Sequence, residues 1–394
     1  MWVDEDASTC EPRRGDVSRA AVDRWRTSAR VLDEVRRTPG VTRVELATRL
    51  GLSSATATET VARLRSAGWV AEEKAPVSGR GRPTTCLRPD PDGPVVLGLD
   101  LRHEDWRLAV AGLDGVPTML CSGRRSAALS DALSDEVAAA AAGSGVRPVA
   151  LGVAVPAPIS DDAVERATEL DWASVRLDGL VEPSVPVLRA NDATLAGLAE
   201  ARSGAAAGVG TALSLIVEVG IGGTLLLDGR PMTGAHGAAG EFGHLPFGDP
   251  ARLCPCGAYG CWAPEVDGRA LARRLGLDVP DDPRTFALDV LARAATGDEP
   301  AARAVAGVGA ALGRGVAGLV NAHDPDVVVL GGLAPRLRGE AFDNAYRRGL
   351  MAYRRSSPTP VRDAAFSDDA ALRGALALAL DHATSAEGLA RATA

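Results

Sequence analysis

The chain has 394 residues, 46% hydrophobic and 24% charged, the composition of an ordinary globular protein with room for two or three domains. Its N-terminus, MWVDEDASTCEPRRGD, lacks the apolar core of a signal peptide, and no run of about 18 apolar residues offers a membrane span, so a cytoplasmic protein is expected. The net charge of −8 is uneven: residues 1–90 carry +3 and the rest −11, a basic head on an acidic body that points to a small polyanion-binding module.

Residues 1–19 are polar and aperiodic and read as a disordered tail. The spacing of Val22, Trp25, Ala29, Val31, Leu32 and Val35 then predicts a helix over Ala20–Arg37. A second helix comes next, in VTRVELATRLGL. Thr42 and Glu45 stand at capping-box spacing, and Gly51 closes the helix. The stretch SSATATETVARLRSAG gives a third, opened by Ser53 or Ser54 and closed by Gly68. Two helices joined by a short turn at Gly51 have helix-turn-helix spacing. The last begins with Ser53, Ser54, Thr56 and Thr58, small hydroxylated residues able to approach bases and phosphates in a major groove. Taken alone, the helices fit any three-helix bundle. The stretch WVAEEKAPVSGRGRPTTCLRP decides between the readings, because it reads as two strands around a GRGRP tip. Arg80 and Arg82 alternate there with glycines and would reach into a minor groove. Residues 20–90 therefore read as a winged helix-turn-helix DNA-binding domain.

From Val95 the texture changes. PVVLGLDL, WRLAVAGLDG, RPVALGVAVPAP, VPVLRANDAT and PDVVVLGGLA read as strands. TALSLIVEVGIGG reads as a strand meeting a Gly-rich turn, with TLLLDGRP as its hairpin partner. Helices are expected at Thr194–Ser203, Gly268–Leu275, Pro283–Ala295, Glu299–Ala322, Glu340–Tyr353 and Asp368–His382. The alternation argues for an α/β body over residues 94–385. Hairpin starts at Val95 and Ala212 suggest two similar lobes around a cleft.

Three of the chain's six cysteines fall in CPCGAYGC. Cys254, Cys256 and Cys261, with His244 ten residues earlier, form a Cys3His set in a loop over 244–261. In a compartment that keeps thiols reduced, such a cluster reads as metal ligands rather than disulfides. Four protein donors close the coordination sphere, so the expected ion is structural Zn2+. Free thiols in a loop are the plainer alternative, against which Gly257 and Gly260 supply the tight turns of a metal knuckle.

GAHGAAGEFGHLPF followed by CPCGAYGC resembles the signature of the ROK family of repressors, open reading frames and sugar kinases. GVAVPAP, RANDAT, VEVGIGG and VVVLGG fall in that family's order. The winged helix resembles the N-terminal domain of its repressors, and the likeness covers roughly residues 25–385. It implies a two-lobed, actin-like body of sugar-kinase (ribonuclease H-like) type. It also implies that Asn191, Asp192, Glu241 and His244 bind sugar, with Asp192 in the place of the catalytic base and His244 serving metal and sugar alike.

The departures bear on activity. Where the family's first phosphate loop reads approximately D-x-G-G-T, this chain has DLRHEDW: Asp100 remains, but Arg102, His103, Glu104 and Asp105 replace small residues. Thr194 and Thr224 replace an asparagine and a glycine. Ala263 stands where a sugar-binding glutamate is usual, with Glu265 two residues on as a possible substitute. The expectation is a ROK-type transcriptional regulator that acts as a repressor, with a degenerate, inactive kinase body. It would bind a palindromic DNA operator as a homodimer or homotetramer, modulated by a sugar or sugar phosphate, away from any membrane. Two rivals stand beside it: an ATP-dependent sugar kinase with an accessory DNA-binding domain, and a regulator that no longer binds a small molecule.

Overall fold

Helix α1 (Arg19–Arg37) opens at Ser18, whose side chain caps the Ala21 amide. This computed structural model describes residues 18–74, 85–102, 105–124, 131–143, 145–157, 159–160, 163–164 and 180–393; the GRGRP tip with Arg80 and Arg82 lies outside them, as does the expected tail up to residue 17, whereas Ser18 and Arg19 are the cap and first residue of α1. After strand β1 (Val41–Thr42), helix α2 (Arg43–Leu50) carries the full Thr42–Glu45 capping box and stops at Gly51 in the left-handed region. Helix α3 (Ser54–Ser66) is capped by Ser53. Strands β2 (Val70–Lys74) and β3 (Thr85–Pro89) complete a small sheet of order β1-β3-β2. This is the expected winged-helix arrangement.

The first lobe begins with β4 (Val95–Leu101), β5 (Asp105–Ala111) and β6 (Thr118–Arg124). Helix α4 (Asp131–Gly143), β7 (Pro148–Val155), the short pair β8 (Ile159–Ser160) and β9 (Ala163–Val164), β10 (Val187–Asn191) and α5 (Asp192–Ser203) come after them. The second lobe has β11 (Thr211–Glu218), β12 (Gly220–Leu227), β13 (Arg230–Pro231), α6 (Gly268–Arg274), α7 (Pro283–Ala295), α8 (Glu299–His323), β14 (Val327–Gly332), α9 (Ala334–Leu337), α10 (Glu340–Gly349) and β15 (Val361–Asp363). Helices α11 (Ala370–Ala383) and α12 (Ala386–Ala392) end the chain. The two five-stranded sheets, β10-β7-β4-β5-β6 and β15-β14-β11-β12-β13, share one topology: an antiparallel three-strand meander extended by two parallel strands. The two lobes read from the hairpin starts are therefore a true structural repeat.

Helices α11 and α5 fill the space between the sheets. Glycines set how closely they approach. A Cβ on Gly152 of β7 would lie 2.0 Å from the Ala375 carbonyl of α11, and one on Gly374 of α11 would lie 1.9 Å from the Leu195 carbonyl of α5. On the other side, a Cβ on Gly197 of α5 would meet the Thr224 methyl of β12 at 2.3 Å. At the far end of the layer, α12 packs on α1. One apolar cluster runs without a break from Trp25, Leu32 and Val35 through Leu372, Leu376 and Leu380 to Leu389. The DNA-binding domain thus shares its core with the body.

Several elements differ from the sequence reading. Gly220, Gly222 and Gly223 lie within β12, paired to β11, and not in a wide turn. Gly220 sits in the left-handed region at φ 93°, while a side chain at Gly222 would strike Ala193 and one at Gly223 the Ser214 carbonyl and Leu215. Helix α10 ends at Gly349, not Tyr353: the Asn321 side chain binds the Gly349 carbonyl and the Met351 amide and holds the link extended. Helix α5 starts earlier, at Asp192, and β6, α4 and α12 were not anticipated. Helix α8 is long and apolar enough to cross a bilayer, but it forms the core of the second lobe, with Val308, Leu312, Val316 and Val320 fully buried.

Because the Leu195 carbonyl cannot move without breaking α5, Gly374→Ala should cost about 3 kcal/mol, the upper end of the overpacking range, read as a lowered Tm in a thermal scan. An unchanged Tm would mean that the two helices are not in backbone contact.

Candidate functional site

Helix α3 buries Ala57, Thr60, Val61 and Leu64 against the bundle, which turns Ser53, Ser54, Thr56 and Thr58 to solvent. Their hydroxyls are ordered locally. Ser53 caps the Thr56 amide at 3.0 Å and meets the Thr56 hydroxyl at 2.8 Å, while the Thr58 hydroxyl donates to the Ser54 carbonyl at 2.8 Å. The four predicted positions are all exposed and uncharged, at the start of the second helix of the helix-turn-helix.

The cleft residues come from three elements. Asn191 ends β10 and caps α5, its Oδ1 accepting from the Ala193 and Thr194 amides at 3.0 and 3.2 Å and its Nδ2 donating to the Ala157 carbonyl. It also lines a cavity of about 350 Å³ with Arg189, Thr194, Met232 and Thr233. Asp192 is the first residue of α5. Burial raises its pKa to about 7; the Ala193 amide pulls the other way, and the charges of Asp100, Glu241 and Glu218 add to the rise. Four carboxylates thus converge on one cleft, and Asp192 is the one held partly protonated near neutral pH. Burial also raises Glu241, against the pull of His244.

His244 lies in a short 3-10 turn and faces two ways. Its Nδ1 is 3.8 Å from Cys254 Sγ, and its Nε2 is 3.8 Å from Glu241 Oε2. The ligand atoms of His244, Cys254, Cys256 and Cys261 all lie within 4.8 Å of one another. Cys256 and Cys261 sulfurs are 3.7 Å apart, too far for a disulfide and close to the roughly 3.8 Å edge that two 2.3 Å zinc–thiolate bonds subtend in a tetrahedron. The three thiols act on one another: burial and the other two sulfurs push Cys261 up to about 12, whereas Cys256 is held low by the Ala258 amide and its neighbours despite burial. Gly257 and Gly260, at φ of 91° and 74°, make the turns between ligands. Trp262, fully buried with its indole N–H on the Ala311 carbonyl, anchors the loop to α8. The donor set fits a closed, four-coordinate metal.

The phosphate-loop position is occupied by the protein itself. Asp100 is buried and accepts Arg102 Nε at 2.9 Å and Arg107 Nη2 at 2.8 Å. Sequence reasoning missed Arg107, which lies on the facing strand opposite Asp100, where only the hairpin register reveals it. His103 and Glu104 lie outside the described residues. In VEVGIGG, the Gly220 amide donates to the buried carboxylate of Asp267 at 2.9 Å and is taken. Glu265 does not replace the glutamate missing at Ala263: it accepts Arg252 at 2.7 Å and lies 3.6 Å from Arg273.

Comparison with known proteins shows the same division. The ROK family profile matches residues 99–382, and the MarR family profile matches residues 26–81. The xylose repressor of Caldicellulosiruptor bescii is 26% identical over 326 residues, 77% of this chain and 81% of the repressor. The kanosamine kinase of Amycolatopsis mediterranei is 32% identical over 244 residues, 58% of this chain and 76% of the kinase. Among solved structures, a ROK family transcriptional regulator homologous to the E. coli MLC protein superposes with a TM-score of 0.76 at 21% identity, covering 95% of this chain and all of that one. A ROK family glucokinase from Streptomyces griseus, in complex with glucose and AMPPNP, gives 0.62 at 25% identity, covering 72% and 99%.

Asp192 supplies a pH-dependent test of the cleft. Its carboxyl ionises near its ordinary value, about 4, when unfolded, and near 7 when folded, so the folded state holds the proton more tightly. Its contribution to stability therefore falls as pH rises from about 4 to 7 and is level above that. Asp192→Asn, neutral throughout, should melt higher than the parent at pH 8, and the gap should close by about pH 4. A gap independent of pH would contradict the raised pKa.

Proposed function

The chain belongs to the ROK family, and from that premise we propose that it is a DNA-binding transcriptional regulator, acting in the cytoplasm as a repressor that answers to a sugar or sugar phosphate held between its lobes. The observation that carries this reading is the winged helix: its hydroxylated helix α3 faces outward while its core merges with that of the body. The match to the xylose repressor supports it, because it covers 77% of this chain and 81% of the repressor. The kanosamine kinase match covers little more than half of the chain.

In this reading Ser53, Ser54, Thr56 and Thr58 meet the major groove, and Arg80 and Arg82 the minor groove beside it. A symmetric dimer or tetramer presents two such heads to a palindromic operator. Asn191, Asp192, Glu241 and His244 hold the effector's hydroxyls. His244, Cys254, Cys256 and Cys261 hold a structural Zn2+, which would fix the imidazole so that its Nε2–H points to Glu241 and the ligand.

Phosphotransfer is lost in this reading, although Asp192 has a pKa suited to a general base. Phosphoryl transfer needs a positioned polyphosphate. Here Arg102 and Arg107 neutralise Asp100, and Asp267 takes the Gly220 amide, so the acid retained in DLRHEDW and one backbone donor of VEVGIGG are already committed to the protein. A regulator indifferent to small molecules is the second reading. Ala263, with Glu265 turned to Arg252, favours it by removing one acceptor from the sugar site.

Thermal-shift scans of the zinc-loaded protein against sugars and sugar phosphates should raise Tm with one of them, and Glu241→Ala should abolish the shift; no shift with any of them supports the second reading. A coupled ADP-release assay should show no sugar-dependent turnover, and steady turnover would restore the kinase reading. Replacing both Ser54 and Thr56 with Glu should weaken binding to DNA from the adjoining promoter region by about 100-fold through like-charge repulsion, with Tm unchanged. Metal analysis should find one zinc per chain, reduced together with Tm in Cys256→Ser.

A further inference from the structure

We propose that α11 is a strut between the interlobe cleft and the DNA-binding domain, fastened by an ionic clasp at each end, and that the cleft-end clasp holds the two lobes together. The residues just before α11 form the first clasp. The Asp368 carbonyl accepts Arg102 and Arg107 from the first lobe, and Asp369 Oδ1 accepts Arg107 at 2.9 Å. The Asp368 carboxylate turns the other way and accepts Arg284 of α7, in the second lobe, at 3.1 Å. Arg284 in turn binds Glu218, at the end of β11, at 2.5 Å. Three arginines and four carboxylates, counting Asp100, therefore tie both lobes to one short segment. Buried Glu200 of α5 holds that segment from behind by accepting the Ala365 and Phe366 amides at 3.1 and 3.0 Å.

The second clasp lies at the other end of α11. Asp381 accepts Arg202, at the end of α5, at 2.5 Å through one oxygen, and Arg36 of α1 at 3.3 Å through the other. Arg36 also reaches the Thr384 hydroxyl at 3.3 Å. Both α5 and α11 thus start at the cleft and end at a single carboxylate touching α1 of the DNA-binding domain. At 1.5 Å per residue, α11 spans about 20 Å. It is stiff in place, because Gly152 and Gly374 put its backbone against β7 and α5 with no side chain between them to slide. Lobe opening must break the Asp368–Arg284 bridge or pull α11, and α11 carries α12 and α1 with it. This rests on the regulator reading only for what opens the lobes; the strut is testable without any effector or DNA.

Hydrogen exchange on the full-length protein provides the test. Arg284→Gln and Asp368→Asn each cut the bridge to the second lobe at half-exposed or exposed residues. Exchange should rise about tenfold in α12 and around Val31–Val35 of α1, while Val308–Val320 of α8 stays as in the parent. Arg284→Lys, which keeps the charge, should restore most of the protection. Arg303→Gln, which breaks an exposed pair on α8, should change nothing at α1. Exchange that rises only near Glu218, Arg284 and Asp368 would overturn the strut, as would an equal rise at α1 in the Arg303 variant. Asp381→Asn should, by reciprocity, loosen the segment around Ala365 and Phe366; protection unchanged there would also count against it.

Discussion

The contact between Gly374 and the Leu195 carbonyl fixes the distance between the two central helices, and most of the architecture depends on it. Two twisted sheets of the same topology cannot bury their inner faces against each other directly while a cleft stays open at one edge. A layer of two small-residue helices solves this. Alanines and glycines let α11 lie on the first sheet and α5 on the second with backbone nearly touching backbone, giving dense packing at little side-chain entropy cost. Because α5 begins at Asn191 and Asp192, the same layer carries the candidate sugar residues into the cleft at a fixed height.

Electrostatics in that cleft are set by an abundance of partly buried carboxylates. Asp100, Asp192, Glu218 and Glu241 act on one another, and the protein answers each differently. Asp100 is neutralised by two arginines and Glu218 by Arg284; Glu241 faces a histidine. Asp192 has only the amide of Ala193 to oppose its burial, and it becomes the group whose charge is unsettled near neutral pH. A ligand hydroxyl that donates a hydrogen bond to Asp192 offsets part of the cost of burying its charge.

The sequence was legible wherever the determining interactions are local. Thr42, Glu45 and Gly51 declare a helix within ten residues, and the structure has that capping box and that left-handed glycine. The cysteine spacing with His244 was equally readable, because a metal knuckle is a short loop. Non-local pairings were not. Arg107, Arg284 and Asp368 are distant in sequence, and nothing in their neighbourhoods marks them as partners. Gly222 and Gly223 misled for a related reason: they resemble a turn, yet they are small because Ala193 of α5, Leu215 and Phe242 press on a strand. Helix α12, seven residues long and alanine-rich, has too little periodic signal to stand out, and its partner α1 lies at the other end of the chain.

Keeping the Cys3His cluster while pairing Asp100 with two arginines is coherent for a regulator. A kinase must open its lobes on every turnover to release its nucleotide, so permanent ion pairs across the cleft would slow it. A regulator needs the opposite: a lobe position stable enough that only a ligand with different affinity for two positions can change it. Bridges from Arg102, Arg107 and Arg284 to Asp368 and Asp369 supply such a threshold from within the chain, independent of ATP. They are also partly exposed, so each is weak singly, and the threshold comes from several arginines meeting on one segment. An effector that binds at Asp192 and Glu241 then needs to outweigh a modest, distributed set of contacts rather than a single strong one, within the range that a few hydroxyl hydrogen bonds can supply.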